Sequence, residues 1–241
     1  MTFNRFATSL FGIAAAVVVA AVGAGAFAGT ATGQPADNRP APTEPGRVEV
    51  AMLTYGSSRI TSVCFSDKFL ELVRMETSIR VHDRFAKADL ATDSIFDYPL
   101  LIMTGEGAFE LTDDEVTRLR SFLSRGGILL ASAGCSNERW NQSMRRTLDR
   151  VLPASEPVEI GMDHPMFTSL YQISSLEGSR YKGAPQALRG IEINGRIAVV
   201  YSPSGLNDTQ NAEAGCCCCG GSEIRNARFI NANILVYALT R

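Results

Sequence analysis

Tyr98-Pro-Leu-Leu-Ile-Met-Thr104 is an unbroken apolar run. It is followed by Thr112-Asp-Asp-Glu115, by Gly126-Gly127, and by a second apolar run, Ile128-Leu-Leu-Ala131. Short continuous apolar runs fit strands buried on both faces, the condition of a parallel sheet covered by helices. Thr112 and Glu115 have capping-box spacing, and Val116, Leu119 and Leu123 lie on one side of the helix they would open. The glycine pair stops that helix. Strand, helix and strand in this order form the repeating unit of an α/β fold.

Working outward, Val48-Glu-Val-Ala-Met-Leu-Thr-Tyr55 reads as another buried strand, closed by Gly56. Ser66 or Asp67 caps a helix carrying Phe69, Leu72, Val73 and Glu76. Ser78 to Val81 alternates as a short strand. A helix is expected from about Asn141 to Val151, ended by Pro153. Pro157 to Met162 reads as an edge strand, because its proline has no N–H to give a ladder. Asn194-Gly195 between Ile191-Glu-Ile193 and Ile197-Ala-Val-Val-Tyr201 predicts a hairpin with a type I′ turn. Ser222 and Glu223 are expected to open a last helix through Ile230, Ile234 and Ala238. The expected architecture is a three-layer α/β/α domain with a mostly parallel sheet and an antiparallel hairpin near one edge, over residues 47–241.

The first residues are of another kind. Arg5 precedes the apolar stretch Phe11 to Val22, and the small-residue sites Ala24-Gly25-Ala26 and Ala26-Phe27-Ala28 follow. That is the order of a cleavable secretory signal, placed at residues 1–28. The alternative is an uncleaved anchor, since a spanning helix needs about 20 apolar residues. Residues 29–46 are rich in proline and polar residues and read as a tether. The expected location is therefore periplasmic or extracellular, with membrane contact only through an uncleaved signal. A formal net charge of −2 over 241 residues gives no general attraction to nucleic acid.

Several separated motifs carry a family resemblance. They are Tyr98 to Gly107, Leu111 to Arg120, Gly126 to Leu130, Asp163-His-Pro-Met-Phe167, Gly190 to Pro203 and Asn233 to Thr240. Together they resemble the bacterial domain-of-unknown-function family numbered 4159. That family is similar to the class I glutamine amidotransferase fold, in particular its ThuA-like branch. The resemblance implies a flavodoxin-like three-layer fold and implies no activity. One departure is Thr104-Gly-Glu106-Gly, where the pattern expects Thr-Gly-His-Gly, so no histidine role transfers to that position.

In a doubly wound sheet, sites form where loops leave the carboxyl ends of the strands. Those loops carry Cys64, Glu106, Cys135 and the run Cys216, Cys217, Cys218 and Cys219, so all six cysteines are expected at one edge. Disulfides come first among the readings, because export implies an oxidising compartment. A metal centre comes second. Thiolates suit a soft transition metal such as Cu or Zn, but four consecutive cysteines match no usual pairing and would need Cys64 or Cys135 as further ligands. A redox-active thiol is third.

Cys135 sits where an amidotransferase-like fold places its nucleophile, and His164 and Glu106 are the candidate partners for it. The stretch Tyr201 to Asp208 has no histidine, which argues against amidotransfer. Nucleophile-elbow, Walker, zinc-protease and dinucleotide signatures are missing. Three functions follow in order: a non-catalytic binding or scaffold module working with cell-envelope proteins; a metal-binding or thiol-redox protein using Cys216–Cys219; and a cysteine-dependent hydrolase using Cys135, His164 and Glu106.

Overall fold

A computed structural model describes residues 46–59, 61–179, 186–212, 216 and 223–241. The proposed signal and nearly all of the tether lie outside the described residues. In chain order the elements are β1 (Val50–Thr54), α1 (Lys68–Glu76), β2 (Ala86–Asp89), β3 (Leu100–Gly105), α2 (Asp113–Ser124) and β4 (Ile128–Ala133). They continue with α3 (Glu138–Val151), β5 (Val158–Glu159), β6 (Arg189–Ile193), β7 (Arg196–Ser202) and α4 (Ala227–Thr240).

The strands form one sheet in the order β2-β1-β3-β4-β7-β6-β5. β2, β1, β3, β4 and β7 run parallel, while β6 and β5 add an antiparallel edge. β3 and β4, the two runs quoted at the outset, pair in register from Leu100 with Ile128 to Gly105 with Ala133, and every residue of both is buried. Because side chains alternate along a strand, the two faces feed two cores. Val50, Met52, Leu100, Ile102, Ile128 and Leu130 pack with Phe69 and Val73 of α1 and Ile230 and Ile234 of α4. Ala51, Leu53, Leu101, Met103, Leu129 and Ala131 pack with Leu119 and Leu123 of α2 and Trp140 and Met144 of α3. Each fully buried leucine or isoleucine contributes about 1.5–3 kcal/mol relative to exposure, which is why the continuous apolar pattern fixes these strands at the centre.

The capping box is present: Thr112 Oγ1 accepts from Glu115 N at 3.2 Å, and Glu115 Oε2 accepts from Thr112 N at 2.8 Å. Glu115 does more than cap. Its Oε1 accepts from Gly56 N at 2.8 Å, tying the end of the β1 strand to α2. The hairpin is also as expected, with Asn194 at φ 54° and Gly195 at φ 78°, the left-handed pair a type I′ turn requires.

Other boundaries differ. Ser78–Val81 contributes only an isolated bridge from Val81 to Val48. The strand beside β1 is instead Ala86-Lys-Ala-Asp89, whose polar, alanine-rich sequence carries little strand signal. Asp67 stands at the α1 cap position without a capping side-chain hydrogen bond, its carboxylate pairing with Arg84 at 3.1 Å, and Ser66 Oγ accepts from Lys68 N instead. α3 begins at Glu138, earlier than expected, because Asn137 Oδ1 caps it by accepting from Trp140 N. α4 begins only at Ala227. Glu223 does not open it, because its carboxylate turns to Thr209, and Ser222 lies outside the described residues.

Candidate functional site at the carboxyl-end rim

Parallel β1, β3, β4 and β7 all end at one rim, so their exit loops meet there. Cys64, beyond β1, and Cys216, beyond β7, are joined in a disulfide across 152 residues of sequence, with Cα atoms 4.8 Å apart. Cys135, just past β4, is likewise disulfide-bonded. The described sulfurs therefore gather where the topology puts them, while Cys217, Cys218 and Cys219 lie outside the described residues.

Cys135 has φ 52° and ψ 29°, a left-handed conformation that a non-glycine residue rarely holds. Its sulfur lies 3.5 Å from Glu106 Oε1. A disulfide sulfur has no proton to donate, so this is a close approach and not a hydrogen bond. The preceding Gly134 is what allows it: a Cβ there would sit 2.8 Å from Gly105 O and 2.9 Å from Glu106 Cγ. Next to it, Asn137 Oδ1 accepts from Gly107 N at 3.1 Å, fixing the loop that carries Glu106 to the start of α3.

Under the rim lies a buried polar hub. Asn207 is only 1% exposed. Its Oδ1 accepts from Ser132 Oγ at 2.7 Å and from Thr104 Oγ1 at 3.3 Å, and its Nδ2 donates to Ala133 O at 3.0 Å. Its carbonyl accepts from Ser66 N at 2.8 Å. One side chain thus links the ends of β3 and β4 to the loop after β7, and its backbone reaches the loop before α1. Gly205 makes the close crossing possible, since a Cβ there would lie 2.6 Å from Ala133 O and its φ is 107°. Nothing in the sequence singles out Asn207, because an asparagine after a strand is ordinary turn chemistry.

A family model described as Domain of unknown function (DUF4159) matches residues 49–239. The chain belongs to that family. No curated protein matches it.

In this DUF4159 domain the expected trio of Cys135, Glu106 and His164 is not assembled. Cys135 and Glu106 meet, but His164 is placed elsewhere. Its ring packs on Tyr237 with centroids 5.4 Å apart, and Tyr237 Oη accepts from Ile197 N at the amino end of β7. β7 runs from there toward the rim, and the five steps from Ile197 to Ser202 cover about 16 Å. Nδ1 of His164 accepts from Met166 N at 3.2 Å. Burial lowers its pKa, against the raising influence of Glu192 and Asp163, and the ring forms part of a turn. His82 lies beside β1's amino end, its N–H donating to Val48 O. Neither of the two histidines in the chain reaches the rim.

The sequence pointed past two further rim residues. Asp208 follows Asn207, has φ 53° and is 4% exposed. Its Oδ1 accepts from Asn211 Nδ2 at 2.8 Å, and its Oδ2 has no hydrogen-bond partner. Glu223 Oε2 accepts from Thr209 N at 3.1 Å and Thr209 Oγ1 at 2.7 Å, and its Oε1 has no partner. Burial raises both carboxyl pKa values, Asn211 and Thr209 partly offset the rise, and the Asp208 charge raises Glu223 further. Both line a cavity of about 430 Å³ together with Ser179, Thr209, Gln210 and Arg225. Among the described residues no group of three or more His, Cys, Asp or Glu side chains could hold a metal, and no helix is long and apolar enough to cross a membrane.

Proposed function

We propose that this domain is an exported, non-catalytic binding module of the cell envelope that presents its carboxyl-end rim to a partner. The bonded state of the rim sulfurs supports this reading above all. A cysteine nucleophile needs a free thiolate and a base within hydrogen-bond reach. Here Cys64, Cys135 and Cys216 are all in disulfides, and the histidines lie away from the rim. A rim tied covalently and hydrogen-bonded from beneath is preorganised, which lowers the ordering cost of binding. Disulfides suit an oxidising compartment, and the signal-like leader and tether agree with it. The β2-β1-β3-β4 order is the doubly wound, flavodoxin-like one and is compatible with kinship to the ThuA-like amidotransferase fold.

A second reading, thiol–disulfide exchange, is favoured by one feature, the left-handed backbone that carries the Cys135 disulfide, whereas the Glu106 carboxylate beside that sulfur disfavours a thiolate there. The soft-metal reading fares less well. Cys64 and Cys216 are bonded to each other and offer a metal no thiolate while oxidised.

Two measurements on protein recovered from the extracytoplasmic fraction test the module. Alkylation followed by mass spectrometry is expected to leave Cys64, Cys135 and Cys216 unmodified until reductant is added. Capture of envelope proteins by the mature domain is expected to survive His164→Ala, which lies away from the rim, and to weaken with Glu106→Gln on it. A Cys135 that alkylates without reductant, or capture lost with His164→Ala but untouched by Glu106→Gln, overturns the proposal.

A further inference from the structure

The end of the sheet opposite the rim carries a feature that the binding-module reading leaves unused. Arg47, Arg74 and Arg80 line one cavity of about 350 Å³ together with Thr77 and Ser78. Among the described residues no carboxylate lines it, whereas the other described cavities each mix arginine with aspartate or glutamate. Three guanidinium groups facing one space repel one another. The chain as a whole is slightly acidic, with a net charge of −2. The helix dipole accounts for one of the three, since Arg74 lies in the last turn of α1. It does not account for Arg47 and Arg80, which lie outside any helix.

The backbone holds the three in place. Val48 N donates to Arg80 O at 2.7 Å and His82 N to Val48 O at 2.9 Å, in a parallel bridge that fixes Arg47 beside Arg80. After α1, Thr77 Oγ1 donates to Val73 O at 2.7 Å and accepts from Ile79 N at 3.0 Å, which sets the turn from Arg74 to Arg80. Gly46 is left-handed at φ 83°, and a Cβ there would lie 3.3 Å from Arg80 Nη2. The Arg80 guanidinium therefore rests against the chain where it enters the domain. Arg47 and Arg80 have interactions of their own, but a guanidinium has several N–H donors and one contact does not exhaust them. Such groups bind phosphate oxygens through paired, charge-assisted N–H bonds.

The chain itself brings an anionic surface to this end. Residues 1–45 join the domain at Gly46, and their apolar stretch Phe11 to Val22 is the part of this protein that a membrane takes up. β1 starts at Val50 and runs away from this point, covering about 13 Å by Thr54 at the rim. We propose that the cavity of Arg47, Arg74 and Arg80 is a docking surface for the phosphate-bearing face of an anionic lipid bilayer. The proposal rests on the export reading of the leader. It adds an orientation to the binding module, with the arginines toward lipid and the rim toward its partner. An arginine beside an anionic surface strengthens binding about fivefold, so three together give about a hundredfold. The attraction fades within about 8 Å at physiological salt, so it acts only when the cavity lies against the headgroups.

The test uses the mature protein, with its disulfides intact and without the leader. Vesicles are of phosphatidylcholine alone, or with about one lipid in three replaced by phosphatidylglycerol. Sedimentation at about 50 mM salt is expected to show at least about tenfold tighter binding to the anionic vesicles, and about 500 mM salt should abolish the difference. Arg74→Gln and Arg80→Gln should each weaken that binding about fivefold. Arg145→Gln on α3, where the arginine pairs with Glu138, should leave it unchanged. Equal binding to the two kinds of vesicle overturns the proposal, as does wild-type binding by both variants. Binding of inorganic phosphate without a preference for anionic vesicles also overturns it, since the cavity would then serve a soluble anion. The wild-type comparison alone decides the matter should a variant fail to fold. Vesicle binding and thiol alkylation report on opposite ends of the sheet, so this proposal and the binding-module reading can each fail without the other.

Discussion

Removing the Asn207 side chain is the perturbation that tests the account of the rim most directly. Asn207→Ala deletes the acceptor for Ser132 Oγ and Thr104 Oγ1 and the donor to Ala133 O. The bonds at 2.7 and 3.0 Å are of full strength, at about 1 kcal/mol net each, and the one at 3.3 Å counts for little. Truncation also strands partners in a place water reaches poorly. Ala133 O loses its side-chain donor, and the Ser132 hydroxyl loses an acceptor while still accepting from Leu206 N. Adding about 1–2 kcal/mol for those groups gives an expected loss of about 3–4 kcal/mol. Against a total stability of about 5–15 kcal/mol that is a severe change. Urea unfolding under non-reducing conditions measures it, with Ser132→Ala and the double variant completing a cycle whose coupling should reach about 1 kcal/mol. Thr104→Val should cost less than Ser132→Ala. A loss below about 1 kcal/mol for Asn207→Ala, at unchanged denaturant slope, would refute the idea that this amide holds the rim together.

Two further outcomes follow from the same geometry. Asp208 and Glu223 have folded pKa values raised above the ordinary 3.8 and 4.5, so the folded state holds more protons than the unfolded one above about pH 4. Their contribution to stability is complete below that pH and is lost as pH rises through the folded values, so the domain should lose stability from about pH 4 upward. Asp208→Asn should flatten that slope, and an unchanged slope in melting curves across the range would remove these carboxyls as its cause. Glu115→Gln trades a carboxylate that accepts from both Thr112 N and Gly56 N for an amide able to accept at one end only. A loss of about 1–3 kcal/mol in urea unfolding is expected, more than a helix cap alone supplies at about 1 kcal/mol.

Much of the frame is legible in local sequence because its signals are local. The apolar runs of β3 and β4, the Thr112–Glu115 box and the Asn194-Gly195 turn each express a preference within a few residues, and the chain as a whole obeys it. β2 escapes notice because Ala86-Lys-Ala-Asp89 is a strand only by virtue of β1 beside it. The start of α4 was misplaced for a related reason: Glu223 looks like a first-turn acid, and only the folded chain brings Thr209 to its carboxylate.

Sequence alone also determined that the cysteine-bearing loops share a rim, since parallel strands with helical crossovers must deliver their exits to one end. It could not choose among disulfide, metal and free thiol, because that choice depends on distances between residues as far apart as Cys64 and Cys216. The tertiary structure decided that pairing, carried His164 toward the far end of β7, and revealed Asn207, Asp208 and Glu223 as the polar groups beneath and beside the rim. Burial and hydrogen-bond partnership are properties of the packed chain, and no stretch of neighbouring residues encodes them.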